Sequence, residues 1–599
     1  QFLEFLPTAH NTIPLGSPLI ITFHTQYYTI RRRHSGVAKN AADIPCAGSV
    51  SLKARPPRSC QANSYYDFLH IFYSCDQIYG TCGPKINAGE KMRLSVLCSN
   101  CAAGPNRYRY NWTLVQTQGS TMTWTDTEWN KNLLNDRSQD YVVFRANVFN
   151  NAGLYTATAL VTNSNTGESG FAEYSFTLNE PPRVGSCAAH NTSEGFFVIR
   201  CQGFSDPDVP LRYDFEYTAA DIEVASVNST GTNKHLLYSG PASSTPPVRL
   251  PVGNREKNYE LEIVVRVADS LGAFAFTSVI TNVPPPEDVQ GFVDDVLETV
   301  NVDDVQQTAA SIISVASVLN TANASEVDNT TRIKARDRMV AILEQVEAQD
   351  VQQVKQLSGT LEHVTNKPEE LSDESQIKAA DTLRNLGEVL TNKSSDVGTE
   401  ELERISAHLV TGAVNVLDAS SLSVGRARSE VQTQSRKKRT TDFEKNEQAT
   451  TTAFEAIDNL ALTMITRKNR DEKPTLLKTN EFLMSLGRSS CDTPGERLIQ
   501  TRTDTGAYFK IPENAAAKLC VDGSVGSQTY FTPRNPFEYS PNAGDLRTPV
   551  LGLSVLGDRQ KVPVSDLDEE ERIEYINPVT TENTIMVEGT ATSSNSGQI

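Results

Sequence analysis

A chain of 599 residues is too long for one hydrophobic core, and length alone suggests about three to five domains. Hydrophobic residues make up 38% and charged residues 21%, the composition of a globular protein with some loose segments. The net charge of −18 argues against general affinity for nucleic acid, and no apolar run approaches the roughly 18 residues that a membrane span requires.

Residues 1–43 open on no signal-peptide pattern; they read as the end of a preceding module or a linker, as in an excised ectodomain piece. Their apolar stretch, Pro18 to Ile30, predicts one long strand. Arg31, Arg32 and Arg33 follow; a solvated strand end is favoured over a site for an acidic glycan.

Residues 44–182 predict a first β-sandwich module. Leu94, Val96 and Cys98 alternate with smaller or polar residues, and a Gly-Pro turn follows. Tyr108, Tyr110, Trp112 and Leu114 then share one parity, with Arg107, Arg109, Asn111 and Thr113 on the other. Asn111 opens an Asn-Trp-Thr sequon on the polar parity, the face that can carry a glycan.

The pattern recurs in a second module, 183–286. Phe197, Ile199 and Cys201 alternate; then Leu211, Tyr213, Phe215 and Tyr217 alternate with Arg212, Asp214 and Glu216, which predicts the polar set in water. Cys98 to Cys201 and Tyr110 to Tyr213 are both shifted by 103 positions. Further on, Val148, Gly153, Tyr155 and Thr158 match Val267, Gly272, Phe274 and Thr277 at a shift of 119. Two related sandwiches of short strands and Gly turns follow, with Gly153 and Gly272 supplying positive φ. Proline clusters at 181–182 and 284–286 mark the boundaries.

At Glu287 the period changes from 2 to 3.6. Phe292, Val293, Val296, Leu297 and Val300 make one stripe. Helices fit 302–320, 331–349, 373–391 (Asp373 as N-cap with Gln376 three residues on), 400–418 and 443–465. The stripes suit a helical bundle over 287–470. Within it, roughly 420–442 predicts a polar loop carrying Arg436, Lys437, Lys438 and Arg439. That run is either a site for basic-residue convertases or an uncut solvated charge run. The β pattern returns over 471–580, a C-terminal sandwich, and 581–599 reads as a disordered tail.

Ten cysteines suit an oxidised protein. Cys187 with Cys201 and Cys491 with Cys520 are the simplest disulfides. Cys98 and Cys101 are also assigned to disulfides, but Cys46, Cys60, Cys75, Cys82, Cys98 and Cys101 allow fifteen pairings, with no choice among them. The spacing Cys98-Ser-Asn-Cys101 lacks further ligands for zinc. Sequons at Asn111, Asn191, Asn228, Asn323, Asn329 and Asn392 point the same way, to an extracellular location. The eight histidines are scattered, and no catalytic, metal or cofactor motif is found.

Cys98-Ser-Asn-Cys101 followed by Tyr108 to Leu114 resembles the receptor-for-egg-jelly module of polycystin-1 relatives and sperm receptors. The helical block followed by a β block resembles the GAIN domain that comes next in that family. Val550 to Asp558, Val562 to Leu567 and Ile573 to Pro578 are similar to strands that precede its proteolysis site. The self-cleavage motif itself, His-Leu followed by Thr or Ser, is absent after Pro578; His408-Leu409-Val410 is mid-helix and lacks the hydroxyl nucleophile. The resemblance implies a non-enzymatic adhesion and sensing ectodomain at the plasma or ciliary membrane. It would bind a glycan or protein ligand and partner a polycystin-2-type channel through a membrane region outside these residues. A structural coat glycoprotein and an adhesion G-protein-coupled receptor ectodomain are the alternatives.

Overall fold

The computed structural model describes residues 85–98, 108–118, 120–149, 153–192, 195–219, 234–323, 325–429, 436–479, 481–491, 508–521, 523–540, 550–557, 560–564 and 567–576, with short strands at 23–24, 27–28, 69–74, 226–227 and 497–500. The chain forms two compact units, residues 1–75 with 80–178, and residues 76–79 with 179–599.

In the first unit, β1 (Phe23–His24) and β2 (Tyr27–Tyr28) pair antiparallel, so the stretch predicted as one long strand turns back on itself. Then come β3 (Leu69–Ser74), β4 (Lys85–Asn87), β5 (Met92–Cys98), β6 (Tyr108–Gln118), β7 (Ser120–Thr123), helix α1 (Asp126–Asn132), β8 (Tyr141–Phe144), β9 (Leu154–Asn163) and β10 (Ser169–Asn179). One sheet has the order β4-β10-β9-β6-β7 and the other β3-β5-β8. Their inner residues share a core in which Leu94 and Phe144 of one sheet meet Trp112, Leu114 and Ala157 of the other. Alternation on β6 holds: Trp112 and Leu114 are buried, Arg109, Asn111 and Thr113 exposed. Burial of such side chains contributes about 1.5–3 kcal/mol each, and the Trp112 indole N–H donates to the Gln139 carbonyl at 3.0 Å.

The second unit begins with β11 (Ser186–Asn191), β12 (Phe197–Gln202), β13 (Arg212–Thr218), β14 (Ser226–Val227), β15 (Lys234–Gly240), β16 (Glu260–Ala268) and β17 (Phe274–Asn282). A β11-β12 pair and a four-stranded sheet, β15-β13-β16-β17, enclose a core around Ile199, Phe215, Leu237 and Val265. The shift of 103 puts Cys98 and Cys201 on β5 and β12, and Tyr110 and Tyr213 on β6 and β13. The shift of 119 does not mark equivalent strands. β9 lies between β10 and β6, whereas β17 is the sheet edge beside β16. What matched is a glycine turn, φ 139° at Gly153 and 92° at Gly272, just before a strand in each case.

Among the described residues seven α-helices follow: α2 (Val289–Thr299), α3 (Val305–Thr321), α4 (Asn329–Leu343), α5 (Val351–Thr365), α6 (Asp373–Asn392), α7 (Thr399–Ser429) and α8 (Arg436–Thr466). Asp288, Asp304, Asp328 and Asp350 cap the first four, each accepting from the backbone N–H three residues on. Each such cap contributes about 1 kcal/mol. Ser372, not Asp373, caps α6; Asp373 enters the first turn, where its charge suits the helix dipole, and accepts a hydrogen bond from Ser423 at 2.6 Å. Among the described residues, helix α7 extends to Ser429 and α8 starts at Arg436, so most of the loop predicted over 420–442 is helical.

The last part comprises β18 (Glu472–Lys478), β19 (Leu483–Ser490), β20 (Arg497–Gln500), β21 (Tyr508–Ile511), α9 (Glu513–Lys518), β22 (Ser524–Thr532), β23 (Val550–Leu556), β24 (Lys561–Val562) and β25 (Glu574–Ile576). They make a six-stranded sheet, β14-β18-β19-β22-β23-β24, and a three-stranded one, β20-β21-β25. Two features tie this unit together. Ala310 and Ile313 of α3 belong to the core of the second β module, and β14 of that module pairs with β18, Val227 opposite Leu477.

Asp418 of α7 lies largely buried, 3.9 Å from Arg534. Burial pushes its carboxyl up to about 6, with Glu481 adding to the rise and Arg534 opposing it. An acid raised in the fold favours folding while protonated, so this contribution is full below the ordinary value of 3.8 and is lost as pH rises through about 6. Asp418→Asn should match the parent near pH 4 and exceed it at pH 8 by about 1–3 kcal/mol in denaturant titrations. A variant less stable than the parent at pH 8 would contradict this account.

Candidate functional site

Helix α5 is the centre of the second unit: residues 354–365 are all buried. Val351, Val354, Leu357, Leu361 and Val364 give it an apolar stripe, yet Lys355, Gln356, Glu362 and His363 are buried as well. A buried polar group costs free energy unless it is paired, so the surroundings of α5 must supply partners.

The first partner is strand β13. Asp214 and Glu216 are both 0% exposed, not in water as the alternation predicts, because helices cover this part of the sheet. Lys355 Nζ lies 2.5 Å from Glu216 Oε1 and 2.6 Å from Glu401 Oε1 of α7, bridging sheet and two helices. Glu401 also pairs with Arg404. Burial alone would raise the Glu401 carboxyl, but Arg404 and Lys355 hold it far below the ordinary carboxylate range. Asp214 accepts from Ser239 at 2.6 Å and pairs with Arg212 and Arg266, each at 3.2 Å.

The second partner is strand β15, the edge of its sheet, which exposes unpaired backbone groups. Two glutamines fill the place of a neighbouring strand. Gln306 of α3 accepts from the Ser239 N–H at 2.9 Å and donates to the Ser239 carbonyl at 3.0 Å. Gln356 of α5 donates to the Leu237 carbonyl at 2.7 Å. The free carbonyls at the helix ends are covered too: Arg332 donates to Leu319 of α3 and to its C-cap Ala322, and Arg336 to Val364 of α5, while Glu370 pairs with both guanidiniums.

The third group is aromatic. Tyr217 O–H and His363 Nε2 are 2.7 Å apart, and His408 Nδ1 lies 2.6 Å from Glu362 Oε2. His235 stands between them, its ring centroid 4.6 Å from His363 and 4.8 Å from His408. Burial, reinforced by the two neighbouring imidazoles, holds His235 well below the usual histidine range, in its neutral form. Three of the eight scattered histidines thus meet in one core. Sequence reasoning missed this because their strand and helices adjoin only in the fold, and it missed α5 itself although its apolar stripe has the helical period.

Among the other singled-out residues, Cys187 and Cys201 are bonded across β11 and β12, directly opposite in register, and Cys491 is bonded to Cys520. Cys98 ends β5; Cys46, Cys60, Cys75, Cys82 and Cys101 lie outside the described residues. Asn111, Asn191, Asn323, Asn329 and Asn392 are exposed, and Asn228 lies outside the described residues. Arg436 to Arg439 form the first turn of α8. Asp206, Asp208 and Asp269 bring carboxylates together at one loop end. Backbone donors and Asn179 already engage Asp206 and Asp269 there.

Residues 78–360 match the REJ domain family. A "Polycystin family receptor for egg jelly" from Homo sapiens is 25% identical over 373 residues, 57% of this chain and 16% of that protein. The Mus musculus protein of the same name is 26% identical over 213 residues, 34% of this chain and 10% of that protein. The chain therefore spans about a sixth or less of the curated relatives it matches. Among solved structures, the chicken CNTN1 FN1-FN3 domains align over 33% of this chain and 65% of theirs, at 14% identity and a TM-score of 0.19. An amphioxus IgVJ-C2 molecule aligns over 33% and 99%, at 11% identity and a TM-score of 0.14.

The ion layer makes a direct prediction. Lys355→Met leaves Glu216 and Glu401 buried without their shared cation and should lower stability by about 3–5 kcal/mol. The triple variant Glu216→Gln, Lys355→Met, Glu401→Gln should recover much of that loss. A loss below about 1 kcal/mol for the single variant would show that water already screens the layer.

Proposed function

We propose, from the place of this chain in the polycystin-1/REJ family, that it forms part of the extracellular ligand-binding, adhesion and sensing region of a polycystin-1-like membrane receptor. The receptor would partner a polycystin-2-type cation channel through membrane segments outside these residues; among the described residues no helix is long and apolar enough to cross a membrane. The role is one of binding and transmission, not catalysis. Paired cysteines and exposed sequons support an oxidising, extracellular setting at the plasma or ciliary surface.

The observation that carries the reading is the clamping of the second β module onto α3, α5 and α7. Ion pairs and glutamine contacts bridge it to the helices, and β14 joins the C-terminal sheet. A load or ligand on the β module would therefore be felt by the helices and sheets that follow. We assign 287–470 and 471–580 to the two parts of a GAIN-like block, its helices α2 to α8 preceding its sheets. N-glycans are assigned to the exposed Asn111, Asn191, Asn323, Asn329 and Asn392, and convertase cleavage to the bond after Arg439.

The chain secreted from a eukaryotic cell should bind saturably to members of a glycan array or to the extracellular face of a polycystin-2-type channel. Binding to neither, with self-assembly into polymers, would favour a surface-coat glycoprotein. N-terminal sequencing of the same material should reveal a new end at Thr440; a single uncut chain would remove the processing step and leave the receptor reading in place.

A further inference from the structure

His235 is the one member of the aromatic group that packing does not explain. It is 1% exposed, and neither ring nitrogen has a hydrogen-bond partner. A neutral imidazole carries one donor and one acceptor, and no protein group meets either one here. Most buried polar side chains find a partner, so an imidazole with neither bond made calls for a reason.

The neighbours of His235 supply a reason. One ligand atom each from His235 on β15, Glu362 on α5 and His408 on α7 lies within 4.8 Å of the other two. Glu362 is 0% and His408 4% exposed. The room is prepared: a Cβ at Gly359, one turn before Glu362 and His363, would come to 3.0 Å from His235 Nδ1. The orientation is prepared too. Tyr217 lies opposite His235 in the β13-β15 register and stacks on it at 5.5 Å, while its hydroxyl is held by His363. Such outer groups fix a ligating imidazole in its plane.

We propose that His235, Glu362 and His408 bind a divalent transition-metal ion of the zinc class, which pins the second β module to helices α5 and α7. The donor set decides the class. Two imidazoles and one carboxylate are a zinc set, whereas calcium takes six to eight oxygens and magnesium keeps its waters. Zinc bonds of about 2.0–2.2 Å place tetrahedral ligand atoms about 3.3–3.5 Å apart, so the group closes with side-chain shifts of roughly an ångström. The site is enclosed, so the ion enters as the module and helices come together, and its role is structural. The site rests on the geometry of this core and stands whether or not the receptor reading holds.

The test uses the full chain from secreting cells, purified without chelators or a histidine tag. Elemental analysis should find about one zinc per chain. After stripping, Zn²⁺ should raise the melting temperature while Ca²⁺ and Mg²⁺ at the same concentration do not. His235→Ala should weaken Zn²⁺ binding tenfold or more, and His190→Ala, an exposed histidine on β11, should leave it unchanged. If His235→Ala fails to fold, X-ray absorption of the zinc- or Co²⁺-loaded parent decides: imidazole ligation supports the site, and its absence overturns it. A folded parent with no bound zinc and no Zn²⁺-dependent shift, or a His235→Ala variant with the parent's affinity, would equally overturn it.

Discussion

One constraint governs the second unit: α5 is buried on every side, and much of what it buries is polar. A helix in that position is usually apolar all round. Here Lys355, Gln356, Glu362 and His363 go into the core, and they meet groups from β13, β15 and α7. Burying a charge is tolerable only with a partner at close range, and the penalty for a mismatch is several kcal/mol. The arrangement therefore tolerates little sliding. Apolar contacts alone would permit α5 to shift along the sheet, but the Glu216–Lys355–Glu401 bridge and the Gln356 bond to β15 fix one register.

Buried ion pairs are weak evidence for stability, since a hydrophobic replacement often does as well. What these pairs fix is one docking geometry between the β module and the helices. The match to the REJ family covers residues 78–360 and so ends inside α5. It includes Lys355 and Gln356 with their β-module partners Glu216 and Leu237, but it stops short of Glu401 and His408 on α7. The bridge thus extends from the family-matched stretch to the helices beyond it.

The sequence discloses the parts of this fold in which neighbours in the chain set the environment. Alternation on β6 predicts Trp112 in and Asn111 out, and the structure agrees because that strand has one covered face. The helical stripe through Val293, Val296 and Leu297 is likewise local. The same alternation misreads β13, because helices α5 and α7, 135 or more residues along the chain from Glu216, cover that part of the sheet. Period-two arguments give which residues share a face; they cannot say whether both faces are covered. Scattered histidines mislead for the same reason: 173 positions separate His235 from His408, and only the docking of β15, α5 and α7 brings them together. Asp373 shows a smaller error, where two adjacent capping residues competed and the first one won.

These points also relocate the boundary that the proline clusters suggest. Cutting the chain after Pro286 would leave the second β module with a bare face where Ala310 and Ile313 pack, an open β15 edge, and carboxylates at 214 and 216 exposed to partial solvation. An edge strand without cover is a template for association. The apolar core, the edge caps and the ion layer close only when α3, α5 and α7 are present, and β14 closes only on β18. Sequence punctuation marks where the backbone changes direction, while the smallest self-contained body is set by where buried polar groups find their partners. For this unit, that body runs from Asn179 through the C-terminal sheets.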